Sequence, residues 1–127
     1  MTKMENMSFS DEAPAITVDI GRHRIRIHRS TLRRLDNPAY VRILVNPQNK
    51  GIVVESCSEN TAGSFRLRPQ KLQSQSLEVY SSSLIDEISA CAGYEQYRSV
   101  KLLGRQIRGQ TAVFFRMAND TACVCPS

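Results

Sequence analysis

The stretch Ala15-Ile16-Thr17-Val18-Asp19-Ile20-Gly21-Arg22-His23-Arg24-Ile25-Arg26-Ile27-His28 sets the fold. Ile16, Val18 and Ile20 alternate with polar residues in one parity, and Ile25 and Ile27 alternate in the other. Strand side chains have a period of two, so the change of parity demands a turn between two strands. Gly21-Arg22 supplies one, because glycine at the first central position suits a type II′ two-residue hairpin. The register then pairs Ile20 with His23, Asp19 with Arg24, Val18 with Ile25 and Ile16 with Ile27. The apolar side chains share one face, and Asp19 meets Arg24 on the other. Arg24, Arg26 and His28 form a row on that second face with a repeat of ~6.7 Å. Successive phosphates of a nucleic-acid strand have a similar spacing, so the row reads either as a phosphate ladder or as an exposed edge.

Outward from the hairpin, Ser30 or Thr31 is placed to cap a short helix carrying Leu32 and Leu35, ended by Asn37-Pro38. Residues 40–45 and 52–54 read as strands joined by the turn-rich loop Asn46-Pro47-Gln48-Asn49-Lys50-Gly51. A short strand is expected at Phe65-Arg66-Leu67, and the Gln/Ser stretch toward Ser76 reads as a mobile connection. Leu77-Glu78-Val79-Tyr80 reads as a strand. Ser83 and Asp86 resemble a capping box for a helix whose face is Leu84, Ile88, Cys91 and Ala92, with Gly93 at its end. Residues 100–103 and 112–115 are strands around the basic turn Gly104–Gly109.

Both halves therefore read strand, helix, strand, strand. Ile25 set against Leu77 overlays IRIHRSTL on LEVYSSSL, which is either a repeat or ordinary βαββ grammar. The expected fold is a single small α+β domain, a mostly antiparallel sheet or barrel with two helices. It is open to division into two pseudo-symmetric βαββ units at 23–57 and 77–117. Residues 1–14 read as a flexible lead, 15–117 as the domain and 118–127 as a loose tail.

The chain has 127 residues, enough for one core, and 41% hydrophobic with 23% charged residues is the composition of a soluble globular protein. No run is apolar enough for a membrane span, and the start lacks a signal-peptide core, so a cytoplasmic protein is expected. The net charge of +5 is uneven: residues 1–15 are net −2, while residues 22–42 are net +6. That segment holds Arg22, Arg24, Arg26, Arg29, Arg33, Arg34 and Arg42 against Asp36 alone. Arginine's planar fork matches phosphate and guanine edges, so these seven and His28 are the candidate nucleic-acid-binding residues. The alternative is a solvated face that blunts a sheet edge.

The cysteines Cys57, Cys91, Cys123 and Cys125 form no CxxC pair and have no histidine nearby, so free thiols and no metal are expected. No nucleophile elbow or phosphate-cradling glycine loop is visible, and no cofactor is implied. An enzyme is not expected; one would need folding to gather His28, Glu55, Cys57 and Tyr80.

From Ile25 to Leu35, Val41 to Val45 and Gly51 to Val54, the pattern resembles a swapped-hairpin DNA-binding domain of the AbrB/SpoVT type. The resemblance covers about thirty residues, mostly as pattern. Two positions depart from it: Arg29-Ser30 stands where the family has a proline, and Asp36-Asn37 replaces its glycine after the helix. It implies DNA contact by Arg24, Arg26, Arg29, Arg33 and Arg34. Members of that family dimerise to complete a barrel, so a homodimer is open, whereas an internal repeat would complete the barrel alone. By topology only, the chain is also similar to TATA-binding-protein-like domains, which hold DNA on a curved sheet. The expected function is thus nucleic-acid binding, duplex DNA first, in a small transcriptional regulator. The alternative is a non-enzymatic module docking an acidic protein partner on the same basic face.

Overall fold

In the computed structural model, which describes residues 13–67, 76–94, 97–117 and 123–126, β1 (Ala15–Asp19) and β2 (Arg24–Ile27) form the expected hairpin. Asp19 faces Arg24, Val18 faces Ile25 and Ile16 faces Ile27, as the parity change demands. The turn itself differs from the expectation. Residues 20–23 form a four-residue loop in which the His23 N–H donates to the Ile20 carbonyl at 3.3 Å. The left-handed residue is His23 (φ 53), not Gly21. The β3–β4 hairpin uses the same device at Lys50 (φ 54). Loops of this length are commonly built on a type I turn, and histidine tolerates the left-handed region better than most residues.

Helix α1 (Arg29–Arg34) follows β2 directly, with His28 at its N-cap and no side-chain cap. Neither Ser30 nor Thr31 caps it; both are buried within the helix. Thr31 is instead a clamp, its hydroxyl donating to the Ala15 carbonyl (2.7 Å) and accepting from the Ala15 N–H (2.9 Å). Leu32 and Leu35 are buried as expected, each contributing roughly 1.5–3 kcal/mol. The helix ends with Asp36 and Asn37 both at positive φ (64 and 47), and the Asn37 N–H returns to the Leu32 carbonyl. These two short polar residues take the geometry that glycine adopts at many helix ends.

The chain continues through β3 (Tyr40–Asn46), β4 (Gly51–Ser56), β5 (Phe65–Arg66) and β6 (Leu77–Tyr80). Helix α2 (Ser82–Ala92), β7 (Tyr97–Gln106), β8 (Ala112–Arg116) and β9 (Cys123–Pro126) complete it. Ser81, rather than Ser83, caps α2 by accepting from the Leu84 N–H, and Gly93 closes the helix at φ 75. Its buried face is Ile85, Ile88, Ser89 and Ala92, leaving Leu84 and Cys91 only partly covered. Strand β7 runs on through Gly104, where a basic turn was expected; the position is tight, since a side chain there would strike the Phe115 ring and the Phe114 carbonyl. Pro14 is packed, not part of a loose lead, and its carbonyl accepts from the Gly104 N–H. Where a loose tail was expected, Cys123–Pro126 pair with β7. Residues 1–12 of the lead, residues 118–122 and 127 of the tail, and the Gln/Ser stretch at 68–75 lie outside the described residues.

All pairings are antiparallel, in the order β5-β3-β4-β8-β7-β1-β2-β6 with β9 also on β7, and the sheet curls into a nearly closed barrel-like α+β fold. The inner face stacks in rows across four strands. Val100, Val18, Ile25 and Val79 form one row; Leu102, Ile16, Ile27 and Leu77 form the next. Helix α1 packs on β1 and β8, and α2 on β2.

The pairings also relate the two halves. Strand β2 meets β6 with Arg26 opposite Glu78 at the centre, and β4 meets β8 with Val53 opposite Phe114. These registers are the ones a twofold through the two pairs would give: it would exchange β2 with β6, β3 with β7 and β4 with β8, with β5 and β9 in corresponding places. Strands β4 and β8 open with the same burial sequence, two buried residues, one intermediate and one buried. In the helices the places of Leu32 and Leu35 fall to Ile85 and Ile88, one residue later than the sequence overlay. Only β1 has no counterpart among the described residues.

Candidate nucleic-acid interface

The period of two that buries Ile16, Val18, Ile25 and Ile27 sends Thr17, Asp19, Arg24 and Arg26 outward. Across β7, β1, β2 and β6 the outward residues align in rows. One reads Lys101, Thr17, Arg26, Glu78, and the next reads Ser99, Asp19, Arg24, Tyr80. Neighbouring strands lie ~4.8 Å apart, so Lys101 and Arg26 sit ~10 Å from each other, with the short Thr17 between them.

Arg24 and Arg26 carry carboxylate partners. Arg24 Nη2 reaches Asp19 Oδ2 at 2.7 Å and its Nη1 reaches Glu78 Oε2 at 3.4 Å; Arg26 Nη2 reaches the same Glu78 oxygen at 3.1 Å. Arg24 also lies over the Tyr80 ring, 6.0 Å from the centroid. Hydrogen bonding to Asp19 first, then to Tyr80, raises its pKa above the ordinary arginine value. The Arg24 side chain is 12% exposed and that of Arg26 41%, so Arg26 is the more open to a ligand. The Nε–H of each is buried without an acceptor, so the carboxylates do not saturate either guanidinium.

At the end of the hairpin, the His28 N–H donates to the Ala15 carbonyl at 3.1 Å, and His28 Nε2 lies 2.8 Å from Thr17 Oγ1. His28, Arg29, Ser30, Lys101 and Leu103 line a cleft of about 460 Å³ beside the first turn of α1. Arg29 and Arg33 are exposed on that helix, and Arg34 is half-buried with its carbonyl accepting from Gln106 Nε2. The Thr31 clamp on β1 fixes where this helix lies.

Of the eight residues expected at the site, folding brings Arg24, Arg26, His28 and Arg29 together, with Arg33 and Arg34 on the adjoining helix. Arg22 lies in the loop at the far end of the hairpin, its N–H on Asp19 Oδ1. Arg42 is elsewhere, on β3, with its guanidinium on Glu55 of β4. Lys101 and Leu103 were missed. Their signal was the alternation Val100-Lys101-Leu102-Leu103, in which Leu103 is 63% exposed. Tyr80, 65% exposed, was likewise read only as part of a strand. Glu55 is on β4 against Arg42, while Tyr80 is on β6 beside Arg24, in different parts of the sheet.

No family model, curated protein or solved structure matches the chain. Among the described residues no helix is long and apolar enough to cross a membrane, and no group of three His, Cys, Asp or Glu side chains is placed to hold a metal ion.

Proposed function

We propose that this protein binds nucleic acid, duplex DNA foremost, through the outer face of β7, β1 and β2 together with α1, and acts in the cytoplasm as a small transcriptional regulator without catalysis. One observation carries the reading. Lys101, from the other half of the chain, aligns with Arg26 across Thr17 and shares a cleft with His28 and Arg29. The arginine cluster seen in sequence thereby gains a cation that is remote in the chain. Arg26, Arg29, Arg33 and Lys101 are the phosphate contacts, whereas Arg24, held by Asp19 and Glu78, keeps the row rigid. The AbrB/SpoVT resemblance implies Arg26, Arg29 and Arg33 among its contacts, and does not include Lys101.

Four phosphate contacts give a slope of log affinity against log salt of about −3.6 for duplex DNA. The test is anisotropy titration of random duplex, single-stranded DNA and RNA across salt concentrations. Arg29→Gln with Lys101→Gln should flatten the slope by about 2. Absence of binding at low salt refutes the reading.

A second reading has its own observation. Tyr80 and Leu103, the two most exposed large hydrophobics among the described residues, lie beside the arginines, and such mixtures of Tyr and Arg with apolar surface mark protein interfaces. An acidic protein partner on this face predicts Tyr80→Ala and Leu103→Ala variants that lose the partner while duplex affinity stays that of any basic protein.

A further inference from the structure

The twofold that the pairing registers allow does not extend to charge. On α1 the residues after the first buried leucine, Arg33 and Arg34, are cationic, and Arg29 opens the helix. On α2 the residues after the equivalent Ile85 are Asp86 and Glu87, both exposed, and the helix contains no basic residue. The strands repeat the contrast, since Arg26 faces its own counterpart Glu78 across the axis. Two helices in pseudo-equivalent places therefore present opposite signs to solvent.

We infer that the domain is electrically polar, and that duplex nucleic acid docks on α1 and the outer face of β7, β1 and β2, with α2 excluding it from its own side. This rests on the nucleic-acid reading above and adds the geometry of the complex. Opposing fields on the two halves orient an approaching polyanion, because like charges across an interface disfavour the wrong pose as strongly as unlike charges favour the right one. The basic surface is short: α1 is ~9 Å long and the Lys101–Arg26 row ~10 Å, which spans a few phosphates of one groove edge. Each chain thus engages a single half-site. The internal twofold serves folding, and a palindromic target requires two chains.

The experiment is an amide chemical-shift titration of the full chain with a short duplex at low salt, on the wild type and on Asp86→Lys/Glu87→Lys. Both substitutions fall on exposed positions and keep good helix formers, and far-UV circular dichroism checks the fold. In the wild type, shifts should fall on β2, β7 and α1 with none over residues 82–92, at one duplex per chain. The charge-reversed variant should bind several-fold more tightly and extend its shifts onto α2, while Arg29→Glu/Arg33→Glu should lose at least tenfold. Equal wild-type shifts on both helices, or an unchanged footprint and affinity after reversal of α2, overturn the inference while leaving nucleic-acid binding intact. No binding by the wild type overturns the reading beneath it, and the inference with it.

Discussion

Replacing Thr31 by valine tests how α1, and the arginines on it, are held. The side chain is fully buried, and its hydroxyl makes two hydrogen bonds to one residue, Ala15. The substitution is nearly isosteric, so packing is kept and the loss is polar. The Ala15 carbonyl still accepts from the His28 N–H, but the Ala15 N–H loses its acceptor in a buried place. An orphaned buried donor costs about 1–3 kcal/mol, so a net loss of about 2 kcal/mol is expected. With a urea slope near about 1.5 kcal/mol/M, the unfolding midpoint falls by about 1.3 M and the slope stays constant. Thr31→Ser keeps the hydroxyl and gives up a methyl, for about 1 kcal/mol. Urea titration followed by circular dichroism ranks the three proteins. Hydrogen exchange adds a local readout, because the Ala15 amide should exchange faster in the valine variant and not in the serine variant. If valine is as stable as the wild type, or serine as damaging as valine, the clamp does not hold the helix.

Three further outcomes follow from the same geometry. A Cβ at Gly51 would lie 2.8 Å from Phe114 Cζ and 2.9 Å from Asn49 Oδ1, so Gly51→Ala should cost ~1–3 kcal/mol in thermal or urea unfolding. Phe114→Leu in the same chain should return at least half of that loss. Asp36→Gly removes left-handed strain at φ 64 and should raise the melting temperature by about 2 °C, whereas Asp36→Val should lower it. The hydrogen bond from Tyr40 to Glu59 raises the phenol's pKa above its ordinary 10.0. The neutral phenol is the form the fold favours, so this contact is fully present below pH 10 and is lost as pH rises through the raised value. Phenolate absorbance should show late titration at Tyr40 that Glu59→Ala moves back toward the ordinary range.

Much of the sheet was legible because alternation is a short-range signal. The Ile16–Ile27 register follows from parity alone, and parity is insensitive to the turn that produces it, which is why the register is right while the turn type is not. Helix faces were read less well: Leu84 and Cys91 fit the periodicity of α2, but the face that packs inward is Ile85, Ile88, Ser89 and Ala92, with Leu84 and Cys91 at its margin. Strand β7 was cut short at Gly104, since a glycine reads as a turn until its close approach to Phe115 is known. At the site, local sequence supplied Arg26, His28 and Arg29, but Lys101 is their neighbour only through the β1–β7 pairing. Sequence likewise could place Glu78 on a strand and Glu55 just after one without showing which arginines they would engage.

Strand β1 has an uneven position in time as well as in space. One edge pairs within a hairpin that closes locally, while the other waits for β7, joining Asp19 to Ser99 and Ala15 to Leu103. Strand β2 waits for β6 in the same way, and β4 for β8. During synthesis this hairpin therefore leaves the ribosome with both outer edges unsatisfied until β6 and β7 emerge. Such non-local pairing slows folding to milliseconds or longer, because the loop must close before its contacts repay it. The arginines on β2 keep that waiting edge soluble, as charged edge residues do in other sheets. The hairpin that closes by a short turn is completed only by strands far along the chain.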